Sequence, residues 1–319
     1  MDSLSLKILN SGYVTPYKQL PFNQGKFKYK VIGNVFEANG ILVPEGLRSS
    51  VRGDHVYHSA DECLSHDDRE SAQIVNGRVL YAGHLMLHYG HFITEGLGRL
   101  YPLIKSIEFD RIAFLPFVFG GSLFPDALSD YHHFIFSSLG ISLEQIFIIR
   151  EVTCFDELWV PSHAWPINST AHPIMSCIYR QIRSFSAASY AAFEEMLPKK
   201  LYISRSKNLR SKYSHIIEKV FQECGFSVVT LEEYPFQEQI NLLGKAKCLA
   251  GFSGSGLHNI VFCRPKTSLI EITDSRGRLG QPLPMQVAAN AIDSRKSLVI
   301  DHEMDVELIK QCVIRFLNS

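Results

Sequence analysis

The segment Lys245–Cys263, KAKCLAGFSGSGLHNIVFC, constrains the fold more than any other part of this chain. An apolar run from Cys248 to Phe252 breaks into Ser253-Gly254-Ser255-Gly256, then restarts at Leu257, Ile260 and Val261. That is the pattern of a strand, a glycine-rich turn and a helix N-terminus. The first N–H groups of a helix lack intrahelical acceptors and lie at the positive end of its dipole, so an anion such as a diphosphate suits the position. Small residues let a ligand approach the backbone closely. The spacing of Gly251, Gly254 and Gly256 is not the dinucleotide fingerprint G-x-G-x-x-G, which argues against a nicotinamide or flavin enzyme. A tight turn with glycines present only for packing explains the segment equally well in isolation.

Its neighbourhood decides between the two. Upstream, KKLYISRSKNLRSKYSH carries Lys199, Lys200, Arg205, Lys207, Arg210 and Lys212, with no acid before Glu218. Leu201-Tyr202-Ile203-Ser204 reads as a buried strand, which puts Arg205 where that strand leaves the sheet. Ligands of open α/β sheets bind at the carboxyl ends of strands, and a guanidinium there can chelate phosphate oxygens. A solvated basic loop is the plainer reading of the charge run. Two strand ends, one basic and one Ser–Gly rich, favour the anion site.

The wider pattern alternates strands and helices: strand 200–204, helix 213–224, strand 226–231, helix 235–245, strand 247–252, helix 256–263, strand 268–272. This predicts a parallel sheet. A long helix over 172–197 opens this half. A closing helix over Val306–Leu317 presents Ile309, Cys312, Val313 and Phe316 on one face. In the first half, short strands and loops fill residues 1–60, with strands expected at Tyr29–Val35 and Gly40–Val43. A helix is predicted over 90–104, strands over Arg111–Val118, Gln145–Arg150 and Glu157–Val160, and a helix over Asp126–Leu139. The proline-marked stretch 161–173 separates domains of 1–165 and 172–319.

In residues 80–104, LYAGHLMLHYGHFITEGLGRLYPLI, a continuous helix would place His91, Glu95 and Arg99 on one stripe and Ile93, Leu97, Leu100 and Ile104 opposite. A His, a carboxylate and an Arg so stacked can hold a general base. A surface helix with i,i+4 ion pairs is the alternative, but Gly90, Gly96 and Gly98 fit close approach by a ligand or another segment better. His84, His88 and His91 raise a metal site, yet the spacing is not H-E-x-x-H and no Asp cluster lies nearby.

These segments resemble glycosyltransferase family 61, which includes plant cell-wall xylosyl- and arabinosyltransferases, secretory-pathway protein O-GlcNAc transferases and bacterial polysaccharide enzymes. The resemblance lies in Ile203-Ser204-Arg205, Arg210 or Lys212, Gly225-Phe226, Gln239, the turn Gly251–Phe262 and Ile270-Glu271-Ile272. The segment around His88, His91, Glu95 and Arg99 carries it too, in its bacterial form. Where the family has His and Ala, this chain has Ser253 and Ser255. A hydroxyl can bond a phosphate oxygen but brings no charge.

The resemblance implies an α/β fold of GT-B type, two Rossmann-like domains facing a cleft. It further implies an inverting, metal-independent transfer of a hexosyl, pentosyl or N-acetylhexosaminyl group from a nucleotide sugar, UDP-linked, to a glycan or glycolipid acceptor in surface or capsular polysaccharide synthesis. The donor residues expected are Arg205, Arg210, Lys212, Ser253, Gly254, Ser255, Gly256, Asn259 and Glu271. Glu95 is the expected base with His91 second in that role, and His88 and Arg99 support the acceptor side. No cofactor and no metal are expected. A nucleotide-sugar epimerase and a non-catalytic sugar-binding scaffold remain the rivals.

Equal numbers of acidic and basic residues give no net charge, and hence no nucleic-acid surface. No apolar run is long enough to span a bilayer, and MDSLSLKILN lacks the look of an export signal. The seven cysteines form no C-x-x-C pair. A cytoplasmic protein with reduced thiols is the expectation, with peripheral association at the inner face of a membrane compatible.

Overall fold

The structure, a computed structural model, describes residues 3–24, 27–48, 50–52, 55–57, 62–117, 127–167, 169–188, 197–205, 214–273, 281–282 and 284–319. It is a mixed α/β chain in two compact units, Met1–Ile167 and Asn168–Ser319.

The strands of the first unit are β1 (Leu6–Val14), β2 (Lys18–Gln24), β3 (Phe27–Ile32), β4 (Val35–Phe36), β5 (Ser50–Arg52), β6 (His55–Tyr57), β7 (Gln73–Met86), β8 (Arg111–Phe117), β9 (Ile146–Ile148) and β10 (Thr153–Pro161). Its helices are α1 (His66–Glu70), α2 (Tyr89–Ile93) and α3 (Asp130–Ser138). The main sheet runs β4-β1-β10-β7-β8-β9. Its β10-β7-β8-β9 part is parallel, while β1 and β4 close one edge antiparallel. A smaller sheet, β2-β3-β6-β5, has no counterpart in the second unit among the described residues.

The central strand β7 carries the unit. From Val79 to Met86 every residue is buried, as expected of a strand covered on both faces. Val79 and Tyr81 join Leu115, Phe155, Leu158 and Val160 in the core. The register of β7 against β8 shifts between Tyr81 and Gly83, where Gly83 has φ +78°. A side chain there would be strained, and its Cβ would stand 3.0 Å from Cδ of Arg99. The bulge thus makes room for a buried guanidinium just before the strand ends.

The second unit holds β11 (Lys200–Ile203), β12 (Ser227–Val229), β13 (Cys248–Phe252), β14 (Ser268–Ile272) and β15 (Ser297–Ile300). Its helices are α4 (Ile174–Ala188), α5 (Ser214–Glu223), α6 (Phe236–Lys245), α7 (Ser255–His258), α8 (Pro284–Ala291) and α9 (Val306–Asn318). The sheet is wholly parallel in the order β12-β11-β13-β14-β15. Helices α5 and α9 pack together against the face bearing Tyr202, Ala250 and Ile270. The predicted stripe of α9 faces this core, Ile309 and Val313 fully, Cys312 and Phe316 in part. Helices α4 and α6 pack with each other and with the short turn of helix at Asn259–Phe262. Burial on both faces explains why Cys248–Phe252 reads as an unbroken apolar run.

Two expectations change. Residues 90–104 do not form one helix. Helix α2 stops at Ile93, Thr94 takes φ −100° and ψ −93°, and the chain continues as separate 3-10 turns over Glu95–Leu97 and Tyr101–Lys105. Thr94 Oγ1 donates to Gly90 O at 2.6 Å, satisfying a carbonyl at the break. Gly40–Val43 is not a strand, only a single bridge from Phe36 to Leu42. The helix predicted over 172–197 is described as far as Ala188.

Candidate functional sites

In the second unit, strand order reverses direction between β11 and β13, because β12 lies to one side of β11 while β13, β14 and β15 follow on the other. Parallel sheets open a crevice at such a switch point, outside the carboxyl ends of the two strands. Ile203 of β11 pairs with Gly251 of β13, so Arg205 and Ser253 leave the sheet beyond the same rung. Arg205 is half-buried. Gly251 leaves little room for a side chain, since a Cβ would meet Ile203 O at 3.1 Å. Gly254 takes φ 133° and ψ −171°, a conformation open in practice to glycine alone. It turns the chain so that Ser255 and Gly256, both half-buried, start α7 over the crevice.

The remaining donor candidates play other parts. Ser253 is buried; its N–H donates to Ile272 O at 2.8 Å, and its hydroxyl donates to Glu271 Oε1 at 2.6 Å. Glu271 is fully buried rather than offered at a strand end, so the expected ribose carboxylate and phosphate hydroxyl are instead joined to each other beside the turn. Asn259 is also buried and donates to Gly256 O at 2.9 Å, holding the turn closed. Gln239 bonds Tyr234 O at 2.9 Å, at the start of its own helix. Arg210 and Lys212 lie outside the described residues.

In the first unit, Glu95 follows the break after α2 and is 2 % exposed. Arg48 holds it in a forked pair, Nε to Oε2 at 3.1 Å and Nη2 to Oε1 and Oε2 at 3.1 and 3.0 Å. His91 Nδ1 lies 2.7 Å from Oε1. Burial pushes the Glu95 carboxyl up, but the His91 hydrogen bond and the Arg48 charge outweigh it and hold the carboxyl below its ordinary range. An ionised Glu95 accepts, so Nδ1 of His91 carries a proton and donates it to Oε1, which leaves Nε2 as the other ring nitrogen. The His91 side chain keeps 19 % of its surface exposed, against 1 % for that of Glu95.

Arg99 does not complete this group, as the predicted helical stripe required. Once the helix breaks, its guanidinium turns into the core and donates to the carbonyls of Glu45, Pro161 and Leu47. Arg48 takes the place beside Glu95, and it also stacks over Phe117 with 4.8 Å to the ring centroid. His88 is exposed and meets the His91 ring edge to face at 5.1 Å. His84 is buried and meets the rings of Tyr17 and Phe117 edge to face, Phe117 being the ring that Arg48 stacks on. No group of three or more His, Cys, Asp or Glu suited to a metal ion occurs among the described residues.

Sequence reasoning missed Arg48 and His163, which lie far along the chain from Glu95. One signal for His163 was present. A Cβ at Gly98 would stand 2.5 Å from its Nδ1, so the glycine exists where the imidazole packs. A cavity of about 720 Å³ near Gly77, Asp110 and Gln145 shares no residue with either candidate site.

A wholly parallel sheet whose strand order reverses beside Arg205 and a Ser–Gly turn belongs to the class of open α/β proteins that bind ligands at the switch point. A family profile described as Glycosyltransferase 61 matches residues 89–270, more than half of the chain, and takes in both candidate sites apart from Arg48, His88 and Glu271. The chain belongs to glycosyltransferase family 61. No curated protein matches the sequence significantly.

Proposed function

We propose that the chain is an inverting, metal-independent glycosyltransferase. It moves a sugar from a UDP-linked donor to a hydroxyl of a glycan or glycolipid acceptor in surface or capsular polysaccharide synthesis, on a fold of GT-B type. The observation that carries this reading is the β11/β13 switch point with Arg205 and the Ser253–Gly256 turn, set inside the family match. Backbone N–H groups at Ser255 and Gly256 and the Arg205 guanidinium stabilise the departing diphosphate, the role a divalent ion plays elsewhere.

On the acceptor side the base is His91. Its Nε2 takes the hydroxyl proton as the acceptor oxygen attacks the anomeric carbon and the bond to the nucleotide diphosphate breaks. The proton ends on the imidazole, and Glu95, fixed by Arg48, stabilises the resulting cation. Glu95 itself is too enclosed and too weakly basic to take the proton. The reading is tested with a panel of nucleotide sugars in thermal shift, where a ligand at a hundredfold excess over its Kd adds about 2.7 kcal/mol of stability. No stabilisation by any nucleotide sugar would refute it. Conversion of the bound sugar nucleotide with no acceptor present would replace transfer by epimerisation.

A further inference from the structure

His163 belongs to no role assigned so far, yet it is packed against the turn that carries Glu95. Gly98 N–H donates to Glu95 O at 3.0 Å, and Ala164 N–H donates to Gly98 O at 2.8 Å, which ties the two segments together. The imidazole occupies the space a Gly98 side chain would need. Its Nδ1 accepts the Trp165 N–H at 3.1 Å. A ring whose Nδ1 accepts keeps its single proton on Nε2. That Nε2 has no protein partner among the described residues, and the ring is partly exposed.

The charged groups facing this ring are Arg99, Glu95 and Arg48. Burial lowers its affinity for a proton, Arg99 lowers it further, Glu95 raises it and Arg48 lowers it, which leaves the pKa at about 3. Arg48 is engaged by Glu95 and Arg99 by three carbonyls, so what the group offers a ligand here is an uncharged N–H. Its natural partner is a neutral oxygen with a lone pair rather than a phosphate.

We infer that His163 is a further residue of the acceptor site, a neutral hydrogen-bond donor whose Nε2–H meets a hydroxyl or ring oxygen of a pyranose beside His91. The inference rests on reading the Arg48–Glu95–His91 group as the acceptor base. His163 neither gives nor takes a proton in the reaction; it positions the sugar so that one hydroxyl reaches His91.

The test is long-range proton–nitrogen NMR on the full chain with labelled histidines, the His163 signals being those lost in His163→Gln. The probes are the methyl β-glycosides of glucose, galactose, xylose and N-acetylglucosamine. The inference expects the Nε2–H tautomer throughout about pH 5 to 8 and a glycoside that moves the His163 and His91 signals together. His163→Leu should bind that glycoside roughly 3- to 10-fold more weakly, as loss of one neutral hydrogen bond implies, while His163→Gln, which restores an N–H, stays within about twofold. A proton on Nδ1, or protonation of the ring within that range, overturns the inference without recourse to any variant. A glycoside that moves His91 but leaves His163 untouched overturns it while the His91 base stands. If none of the four moves either ring, this inference and the placing of the acceptor beside His91 fall together.

Discussion

Replacing His91 by Asn removes the imidazole while leaving a polar side chain of similar reach. Under the reading above, nucleotide binding survives and transfer falls roughly 10²–10⁴-fold, the usual cost of losing a general base. Glu95→Gln also slows transfer, because an amide beside Nδ1 no longer fixes the tautomer. The decisive comparison is between the two: near-normal transfer by His91→Asn with collapse in Glu95→Gln would return the base to Glu95. Arg48→Met tests the same group through stability. It strands a buried carboxylate and should cost about 3–5 kcal/mol in a denaturant titration, most of it recovered when Glu95→Leu is added. A single Arg48→Met variant as stable as the parent would mean that the forked pair does not hold Glu95 in solution. In the second unit, Arg205→Ala should weaken binding of the free nucleoside diphosphate by about 1.5–3 kcal/mol. Calorimetry giving an unchanged affinity in a folded variant would remove Arg205 from the site.

At the scale of elements, the turn between β13 and α7 depends on one backbone conformation. Gly254 sits at φ 133° and ψ −171°, so Gly254→Ala forces the turn to move at a cost of about 1–3 kcal/mol. Because the same peptide units carry the N–H groups aimed at the diphosphate, nucleotide affinity should fall with stability, read by calorimetry and thermal melting together. Full affinity in a folded Gly254→Ala protein would show that the phosphates bind elsewhere. This region was legible in the sequence because its signals are local. Apolar runs covered on both faces alternate with amphipathic stretches such as α5 and α9, and glycines punctuate them. The stretch 90–104 was misread for a related reason. Its i,i+4 spacing satisfies a helix, and the break at Thr94 comes from tertiary demands that spacing cannot express: Arg99 must reach three distant carbonyls, and the chain at Gly98 must admit the His163 ring. The partnership of His91 with Glu95 survived because it spans one turn only. Arg48 was invisible, since nothing local distinguishes an arginine that will reach a carboxylate across the fold.

At the scale of the whole molecule, the titratable groups held in unfavourable surroundings are distributed unevenly. The first unit contains His163, lowered from an ordinary 6.5 to about 3, and His132, a fully buried ring also lowered chiefly by burial. It contains Glu95 as well, held below the ordinary carboxylate range. Among the described residues, the groups shifted in the second unit are Arg, Lys, Cys and Tyr side chains that do not titrate in acid, apart from exposed Glu223. The sign follows from proton uptake. Below about pH 6.5 the unfolded chain binds protons at both histidines that the folded unit refuses, so stability falls as pH drops. Each ring contributes a slope of at most about 1.4 kcal/mol per pH unit, less for His163 because solvent reaches part of it. The loss from His163 is complete only near its folded value of about 3. Glu95 adds a further loss below the ordinary carboxylate range, as pH falls through its lowered folded value. The first unit should therefore open first on acidification, and hydrogen exchange at about pH 5 should deprotect β7 and β10 while β11, β13 and β14 stay protected. His163→Gln should lower the pH at which β7 opens, because the variant has no ring to protonate. Opening of the second unit first, or an acid midpoint unmoved by His163→Gln, would mean that the imidazole is not kept neutral by its packing.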